Sequence, residues 1–277
     1  MIHLELIGYP LGHSLSPKIH TAALKACGLE GKYSLFPIHP DDKQGLESLL
    51  NQVRAKQIYG LNVTIPHKQN VIEFMNELTP TAKSIGAVNT IYLKDEKLIG
   101  DNTDALGFLA DLKNFIGNRE LEIGKSVLVI GAGGSARAVV YALLNDGWNV
   151  TISSRRIEQS EQLANSFSNY PLSIIHSSNL PTFQFSNFQL IVNTTPIGMT
   201  PNINESPLPE NLSLPSNVFI YDLVYNPRET KLVRDARLQG LNSTTGLGML
   251  IEQAALAFET WTGFNPPREI LWQAVET

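Results

Sequence analysis

Apolar and polar positions along this chain change period repeatedly, and each change marks where one element ends and another begins. Residues 4–7 alternate as a short strand, and the loop Tyr9-Pro-Leu-Gly-His-Ser-Leu-Ser-Pro17 then feeds a helix over about residues 17–27, since proline suits a first helical position. Residues 33–37 and 58–63 read as further strands, with Leu46, Leu49, Leu50 and Val53 at helical spacing between them. Thr64-Ile-Pro-His-Lys68 turns into another helix. Residues 88–93 and 97–99 form a hairpin around Asp95 and Glu96, and Asn102-Thr-Asp104 opens a helix to about Phe115, capped by Asn102 or Thr103.

A second regime starts at Ser126. The apolar run to Ile130 meets Gly131-Ala-Gly-Gly-Ser-Ala-Arg137, a helical pattern covers residues 138–144, Asp146-Gly147 stops it, and residues 148–153 form a second strand. This strand, glycine turn, helix and strand is the setting that raises a glycine-rich turn above a chance match. Gly131 makes the tight turn, Gly133 admits a pyrophosphate to the backbone, and Ala136 is the third small residue, where helix packs on strand. Short apolar strands follow at residues 173–175, 190–193 and 218–222, as buried parallel strands do. Residues 200–217, with Pro201, Pro207, Pro209 and Pro215, read as an irregular surface segment. Helical patterns at residues 248–262 and 268–275 come after the nucleotide-type sheet has ended, so they return to the first domain.

The pattern is therefore α/β in two domains: residues 1–101 with 237–277 for substrate, and residues 102–236 as a doubly wound, Rossmann-type nucleotide domain. On this reading the domains form a cleft that closes about joints near residues 101 and 236. A length of 277 residues at 43% hydrophobic supports two packed cores. A formal charge of −5 gives no footprint for nucleic acid or an anionic membrane. Cys27 is the single cysteine, which excludes an internal disulfide and a cysteine-based metal site, and the six histidines show no ligand spacing. The first residues lack a basic region followed by a long apolar one, so a soluble, cytoplasmic protein is expected, acting on a small molecule with no metal. Monomer and homodimer both remain open.

The second nucleotide strand tests the cofactor. A fold preferring NAD places an acid near its tip, whereas this strand ends in Ser153-Ser154-Arg155-Arg156, and two guanidinium groups suit the 2′-phosphate of NADP. In the first domain Ser14, Ser16, Asn62, Thr64 and Asn89 each fit a cap or turn role when taken singly, and together suggest a small polyhydroxy ligand. Lys68 is read in the first turn of a helix, where the macrodipole disfavours a cation. A solvated lysine and a catalytic one both fit it. Asp104 sits where the dipole welcomes an acid, and only a partnership between the two makes either catalytic.

Eight motifs in order give the chain a family likeness. They are Gly12-His-Ser-Leu-Ser-Pro17, Gly60-Leu-Asn-Val-Thr-Ile-Pro-His-Lys68, Gly86-Ala-Val-Asn-Thr90, Gly100-Asp-Asn-Thr-Asp104, Gly131-Ala-Gly-Gly-Ser-Ala136, Asn193-Thr-Thr-Pro-Ile-Gly-Met199, Asp222-Leu-Val-Tyr-Asn-Pro227 and Gly246-Leu-Gly-Met-Leu250 with Gln253. Through them the sequence resembles shikimate dehydrogenases over nearly its whole length. The resemblance implies a three-layer α/β substrate domain, a Rossmann domain for NADP, and reversible NADPH-linked reduction of 3-dehydroshikimate to shikimate on the way to chorismate and the aromatic amino acids. It implies that Ser14 and Ser16 hold the substrate carboxylate, and that Thr64, Asn89, Gln253, Lys68 and Asp104 reach the ring hydroxyls, with Asn62 and Tyr225 lining the pocket. It assigns NADP to Gly131, Ala132, Gly133, Gly134, Ser135 and Ala136 at the pyrophosphate, and to Ser154, Arg155 and Arg156 at the 2′-phosphate side. Thr195, Pro196, Leu223, Gly246 and Met249 take the ribose and nicotinamide side. Where the family commonly has Asn-Arg-Thr after that second strand, this chain has Ser154-Arg155-Arg156, which adds charge. Lys68 then gives and takes the proton, and Asp104 orients it. The nearest rival is a quinate or quinate/shikimate dehydrogenase, against which the missing acid near Ser154 and the pair Ser14 and Ser16 argue. A non-catalytic nucleotide-sensing module is disfavoured by the presence of both Lys68 and Asp104.

Overall fold

A computed structural model describes residues 1–12, 14–117, 125–182, 184–210 and 212–276. They fall into two compact units, residues 1–107 with 250–277, and residues 108–249.

In the first unit β1 (Ile2–Gly8), α1 (Ser16–Ala26), β2 (Gly31–Pro37), α2 (Lys43–Arg54) and β3 (Gly60–Val63) alternate strand and helix, with β1 parallel to both β2 and β3. The chain continues through β4 (Glu77–Leu78), α3 (Pro80–Ile85), β5 (Thr90–Lys94) and β6 (Lys97–Asp101), giving a mixed sheet of order β2-β1-β3-β5-β6-β4. The β5–β6 turn falls at Asp95 and Glu96, whose positive φ values of 49° and 60° match the right-handed twist of a tight hairpin. On one face of the sheet Ile7, Leu61 and Val63 share a core with Leu46, Leu49, Leu50 and Val53 of α2. On the other, Tyr33, in register with Leu4, stacks on His20 of α1. Helices on both faces make three layers.

One expectation fails here. Residues 65–69 form turns, followed by a short 3-10 helix at Asn70–Phe74, so Lys68 is not in the first turn of an α-helix.

Helix α4 (Asp104–Ile116) carries the chain from the first unit into the second. There β7 (Ser126–Ile130), α5 (Gly134–Asn145), β8 (Asn149–Ser154), α6 (Ile157–Asn165), β9 (Leu172–His176), β10 (Leu190–Asn193), β11 (Phe219–Asp222), α7 (Lys231–Leu238) and β12 (Asn242–Thr245) build an all-parallel sheet of order β12-β11-β10-β7-β8-β9. This is the doubly wound order, whose winding reverses between β7 and β10, and ligands of such sheets bind outside the carboxyl ends of the strands at that point. The described part of residues 200–217 holds no helix or strand, yet it is not all surface. Leu208 is buried with Phe185, Ile220 and Leu232, and Leu212 and Leu214 pack on the same core.

The joints lie after residues 107 and 249 instead of near 101 and 236. The later part of α4 buries Phe108 and Leu112, with Phe108 edge-on to Tyr221, and β12 pairs with β11 as the sixth strand. Both pieces therefore belong to the second unit. Helix α8 (Leu247–Thr262) then returns the chain to the first unit, and α9 (Arg268–Glu276) packs against α1. Trp261 anchors α8 by donating from its indole N–H to the Ile91 carbonyl at 3.2 Å, and a Cβ at Gly60 would lie 2.5 Å from that indole, so the strand must be bare there. No helix among the described residues is long and apolar enough to cross a membrane.

Candidate active site

In the first unit the site grows from the carboxyl end of β3, the turn after it, the residue before β5 and the start of α4. Lys68 Nζ donates to Asp104 Oδ2 at 2.6 Å, and both side chains are buried. Removing two charges from water is costly, and close approach with further hydrogen bonds is what offsets it. Asn89 supplies one, its Nδ2 donating to Asp104 Oδ1 at 2.9 Å and to Thr103 Oγ1 at 3.0 Å, with Gln253 Oε1 at a longer 3.4 Å. The Asn89 amide cannot flip, because its Oδ1 accepts from the Thr103 backbone N–H at 2.8 Å and from the Thr90 hydroxyl at 2.9 Å. Asp104 is itself placed by an Asx turn, its N–H meeting Asn102 Oδ1 at 3.1 Å, so of the two expected caps Asn102 serves.

Asn62 joins the network from β3. Its Nδ2 donates to the Asn89 carbonyl at 3.3 Å and its Oδ1 accepts from the Tyr33 hydroxyl at 2.8 Å. From the sequence Tyr33 was read only as a strand residue and Thr103 only as a candidate helix cap. Against Tyr33 lies the fully buried His20, rings 4.4 Å apart and 2° from parallel. Full burial pushes the His20 imidazole down to about 3, so it is neutral.

Ser14 and Thr64 lie on two loops that meet over the end of β1, and Ser16 opens α1. A Cβ at Gly8 would lie 2.3 Å from Thr64 Cγ2 and 2.8 Å from Leu11 Cδ2, so glycine there lets the loops close. The Ser16 N–H donates to Ser14 Oγ at 3.3 Å, and Thr64 is half-buried. The hydrogen bonds that tie Asn62, Lys68, Asn89, Asp104 and Gln253 together do not reach these three. Tyr225 belongs to the second unit, where burial pushes its phenol up.

The second unit presents a nucleotide cradle. Gly131 ends β7 at φ 114°, and a Cβ there would stand 2.4 Å from Thr194 Oγ1 at the end of β10. Gly133 caps α5, and a Cβ on it would meet nothing within 4 Å, which leaves the open approach a pyrophosphate needs at a helix N-terminus beside Ala132, Gly134 and Ser135. Ala136 is fully buried under the turn. Arg155 and Arg156 are exposed at the tip of β8, so their guanidinium groups are accessible to a phosphate. These residues fit NADP. The Ser154 hydroxyl donates to the Arg156 carbonyl and meets Ser160 Oγ, both at 2.7 Å. Gly246 lets the chain after β12 run against Leu223, whose carbonyl a Cβ would meet at 2.3 Å, and Met249 follows, buried. Thr195 and Pro196 lie in the turn after β10.

Two further side chains support that turn. Asn193 Oδ1 accepts from the Thr195 N–H at 3.0 Å and its hydroxyl at 2.7 Å, while Nδ2 donates to Asp222 Oδ1 at 2.8 Å. Asp222 is fully buried, which pushes its carboxyl up to about 6 against the pull of Thr230, the Val224 N–H and Asn193.

A doubly wound dinucleotide domain carried on the same chain as a three-layer domain with a buried amine–carboxylate pair defines a nucleotide-dependent oxidoreductase. Three family models match: the shikimate dehydrogenase substrate binding domain over residues 6–91, shikimate / quinate 5-dehydrogenase over residues 117–235, and the shikimate 5′-dehydrogenase C-terminal domain over residues 246–276. The shikimate dehydrogenase (NADP(+)) of Carboxydothermus hydrogenoformans is 40% identical over 272 residues, spanning 98% of this chain and 95% of the relative. That of Bacillus subtilis is 37% identical over 262 residues, 94% and 91% of the two chains. A Thermus thermophilus shikimate 5-dehydrogenase solved with NADP(H) and shikimate superposes with a TM-score of 0.87 at 36% identity, covering 100% of this chain and 99% of its own. The chain belongs to the shikimate dehydrogenase family.

Proposed function

We propose that Lys68 and Asp104 carry the chemistry of the reversible NADPH-dependent reduction of 3-dehydroshikimate to shikimate that this chain catalyses in the pathway to chorismate and the aromatic amino acids. The observation behind the assignment is their 2.6 Å contact, buried and braced by Asn89. Bound NADPH supplies the hydride. Lys68 Nζ donates the proton to the C3 oxygen as charge grows there in reduction, and takes it back in oxidation. Asp104 aims the ammonium through Oδ2, and Asn89 holds Asp104 at Oδ1, so the donor is oriented before substrate arrives.

Ser14 and Ser16 hold the substrate carboxylate. Thr64, Asn89, Gln253 and Asp104 meet the ring hydroxyls, and Asn62 lines the pocket. Residues 1–107 with 250–277 thus form the substrate and catalytic domain, and residues 108–249 the NADP domain. Gly131, Ala132, Gly133, Gly134, Ser135 and Ala136 take the pyrophosphate, Arg155 and Arg156 the 2′-phosphate, and Thr195, Pro196, Leu223, Gly246 and Met249 the remainder. The reaction runs in the cytoplasm, apart from nucleic acid and membrane, a placement supported by the acidic balance and single cysteine. Initial rates of NADP reduction with shikimate, repeated with quinate and with NAD, test the reading. Equal rates with quinate or with NAD would overturn the substrate or the cofactor assignment respectively.

A further inference from the structure

We propose that Asp222 is a positioning residue for the cofactor, acting through Asn193 to hold the Thr195 turn in its binding shape. This rests on the reading that Thr195 and Pro196 contact NADP. Residues 194–199 leave the sheet at the carboxyl end of β10 without strand or helix structure of their own; backbone bonds hold Thr194 to the Ile130 carbonyl and Met199 to the Pro196 carbonyl, and the residues between rely on side-chain hydrogen bonds. Asn193 supplies those bonds. Its Oδ1 accepts from both Thr195 donors at 3.0 and 2.7 Å, its Nδ2 also lies 3.4 Å from the Ile197 carbonyl, and the Ile197 N–H in turn donates to Thr195 Oγ1 at 3.3 Å.

An asparagine amide serves this purpose only in one of its two orientations. With Nδ2 toward Thr195, the amide would set a donor against the fixed donor of the Thr195 backbone N–H. Asp222 decides between them: a carboxylate offers only acceptors, and at 2.8 Å from Asn193 it requires Nδ2 on its side and Oδ1 on the side of Thr195. Asp222 is anchored in turn by the Val224 N–H at 3.0 Å, which fixes the next loop beside Leu223, and by the Thr230 hydroxyl at 2.7 Å, the cap of α7. A fully buried carboxylate is a costly way to fill the end of an otherwise apolar strand such as Phe219–Tyr221. Its use as a one-way acceptor between two ligand-facing loops accounts for its presence.

The test is NADP+ binding to the full chain by calorimetry, with shikimate binding measured alongside. Asp222→Leu and Asn193→Ala are each expected to weaken NADP+ about tenfold or more, the scale of losing hydrogen bonds in a buried network, with shikimate affinity within about twofold of the parent. Asp222→Asn is expected to stay within about threefold, since its amide oxygen can still accept from Asn193 and Val224 while its amide nitrogen meets Thr230; a purely charge-dependent or stability effect would not divide the two Asp222 variants this way. Asn193→Ala leaves Asp222 its other two partners and serves if Asp222→Leu does not fold. Parent-like NADP+ affinity in folded Asn193→Ala overturns the proposal. Thr195→Val separates the causes. If it weakens NADP+ while Asn193→Ala does not, the relay is wrong; if neither does, the assignment of the Thr195 turn to NADP is wrong.

Discussion

Asn89 donates to the one oxygen of the Asp104 carboxylate that Lys68 leaves free, at 2.9 Å, so the acid is fixed from both sides and in turn fixes one of the three ammonium donors of Lys68. Lys68→Ala removes the proposed proton donor while leaving the NADP domain intact. Turnover is expected to fall by about 10²- to 10⁴-fold, the range for general acid–base groups. Steady-state kinetics with an independent NADPH titration checks it, and a variant that keeps most of its turnover refutes the assignment.

Tyr33 reaches the same network from behind. Its hydroxyl holds Asn62 Oδ1 at 2.8 Å, and Asn62 touches the Asn89 carbonyl. Tyr33→Phe keeps the stack on His20 but releases the Asn62 amide, so the KM for shikimate is expected to rise about three- to tenfold, one hydrogen bond's worth, with kcat little changed. A parallel fall in kcat with KM constant would place Asn62 in the chemical step instead of in binding.

The elements and the nucleotide turn were legible because their signals are local. The run from Ser126 through the glycines to Arg155 spells strand, turn, helix and strand in consecutive residues, and β7, α5 and β8 follow that order. Lys68 was legible as an oddity, but for a reason that failed, since the dipole argument assumed a helix where the chain makes turns. What actually accounts for it is Asp104, 36 residues away, and a pairing at that distance carries no local pattern. Tyr33 with Asn62 and Asn193 with Asp222, each 29 residues apart, were invisible for the same reason. Asn193 and Asp222 stood inside recognisable motifs, yet only the parallel β10–β11 register, which sets them side by side, shows what they do. Leu208 was hidden differently: the prolines and asparagines around it read as surface, and its burial depends on a core built by distant strands.

His20 makes stability depend on pH. Its imidazole titrates at about 3 in the folded chain against an ordinary 6.5, so between those values the unfolded chain binds the extra proton. Stability from this group is therefore present above about pH 6.5 and lost progressively as pH falls toward 3. Replacing His20 with Phe keeps an aromatic ring against Tyr33 and removes the titration. Urea midpoints taken at neutral pH and near pH 4 are expected to drop less in the variant than in the parent, and an equal drop would show that His20 is not the group responsible.

Two glycines of the nucleotide turn are expected to fail in different ways. Gly131→Ala combines a positive φ of 114° with a contact of 2.4 Å to Thr194 Oγ1, so it costs about 1–3 kcal/mol of stability and lowers the melting temperature with or without nucleotide. Gly133→Ala meets open space, so the apo protein should melt as the parent does, while NADPH binding weakens because the methyl group occupies the approach to the backbone. Thermal scans with and without NADPH separate the two, and a Gly133→Ala protein binding NADPH normally would move the pyrophosphate elsewhere.

Arg155 and Arg156 are expected to decide between the two nicotinamide cofactors. Both are exposed at the tip of β8, and Ser154 beside them is bonded inward, so these guanidinium groups are the cationic donors that strand end presents. Hydrogen bonds to a charged group are worth about 1.5–3 kcal/mol, which corresponds to roughly 10- to 150-fold in affinity. Arg155→Ala is accordingly expected to raise the KM for NADP by that factor and to leave the KM for NAD nearly unchanged, because NAD has no 2′-phosphate to lose a partner. Arg156→Ala should show a smaller shift of the same sign, in keeping with the family likeness that puts the principal contact on the middle residue of the triplet. Raised salt should erode the parent's preference for NADP and leave the Arg155→Ala enzyme comparatively insensitive, since exposed charge pairs are screened over about 8–10 Å at moderate ionic strength. Equal losses with both cofactors would mean that Arg155 supports the strand end and does not read the phosphate.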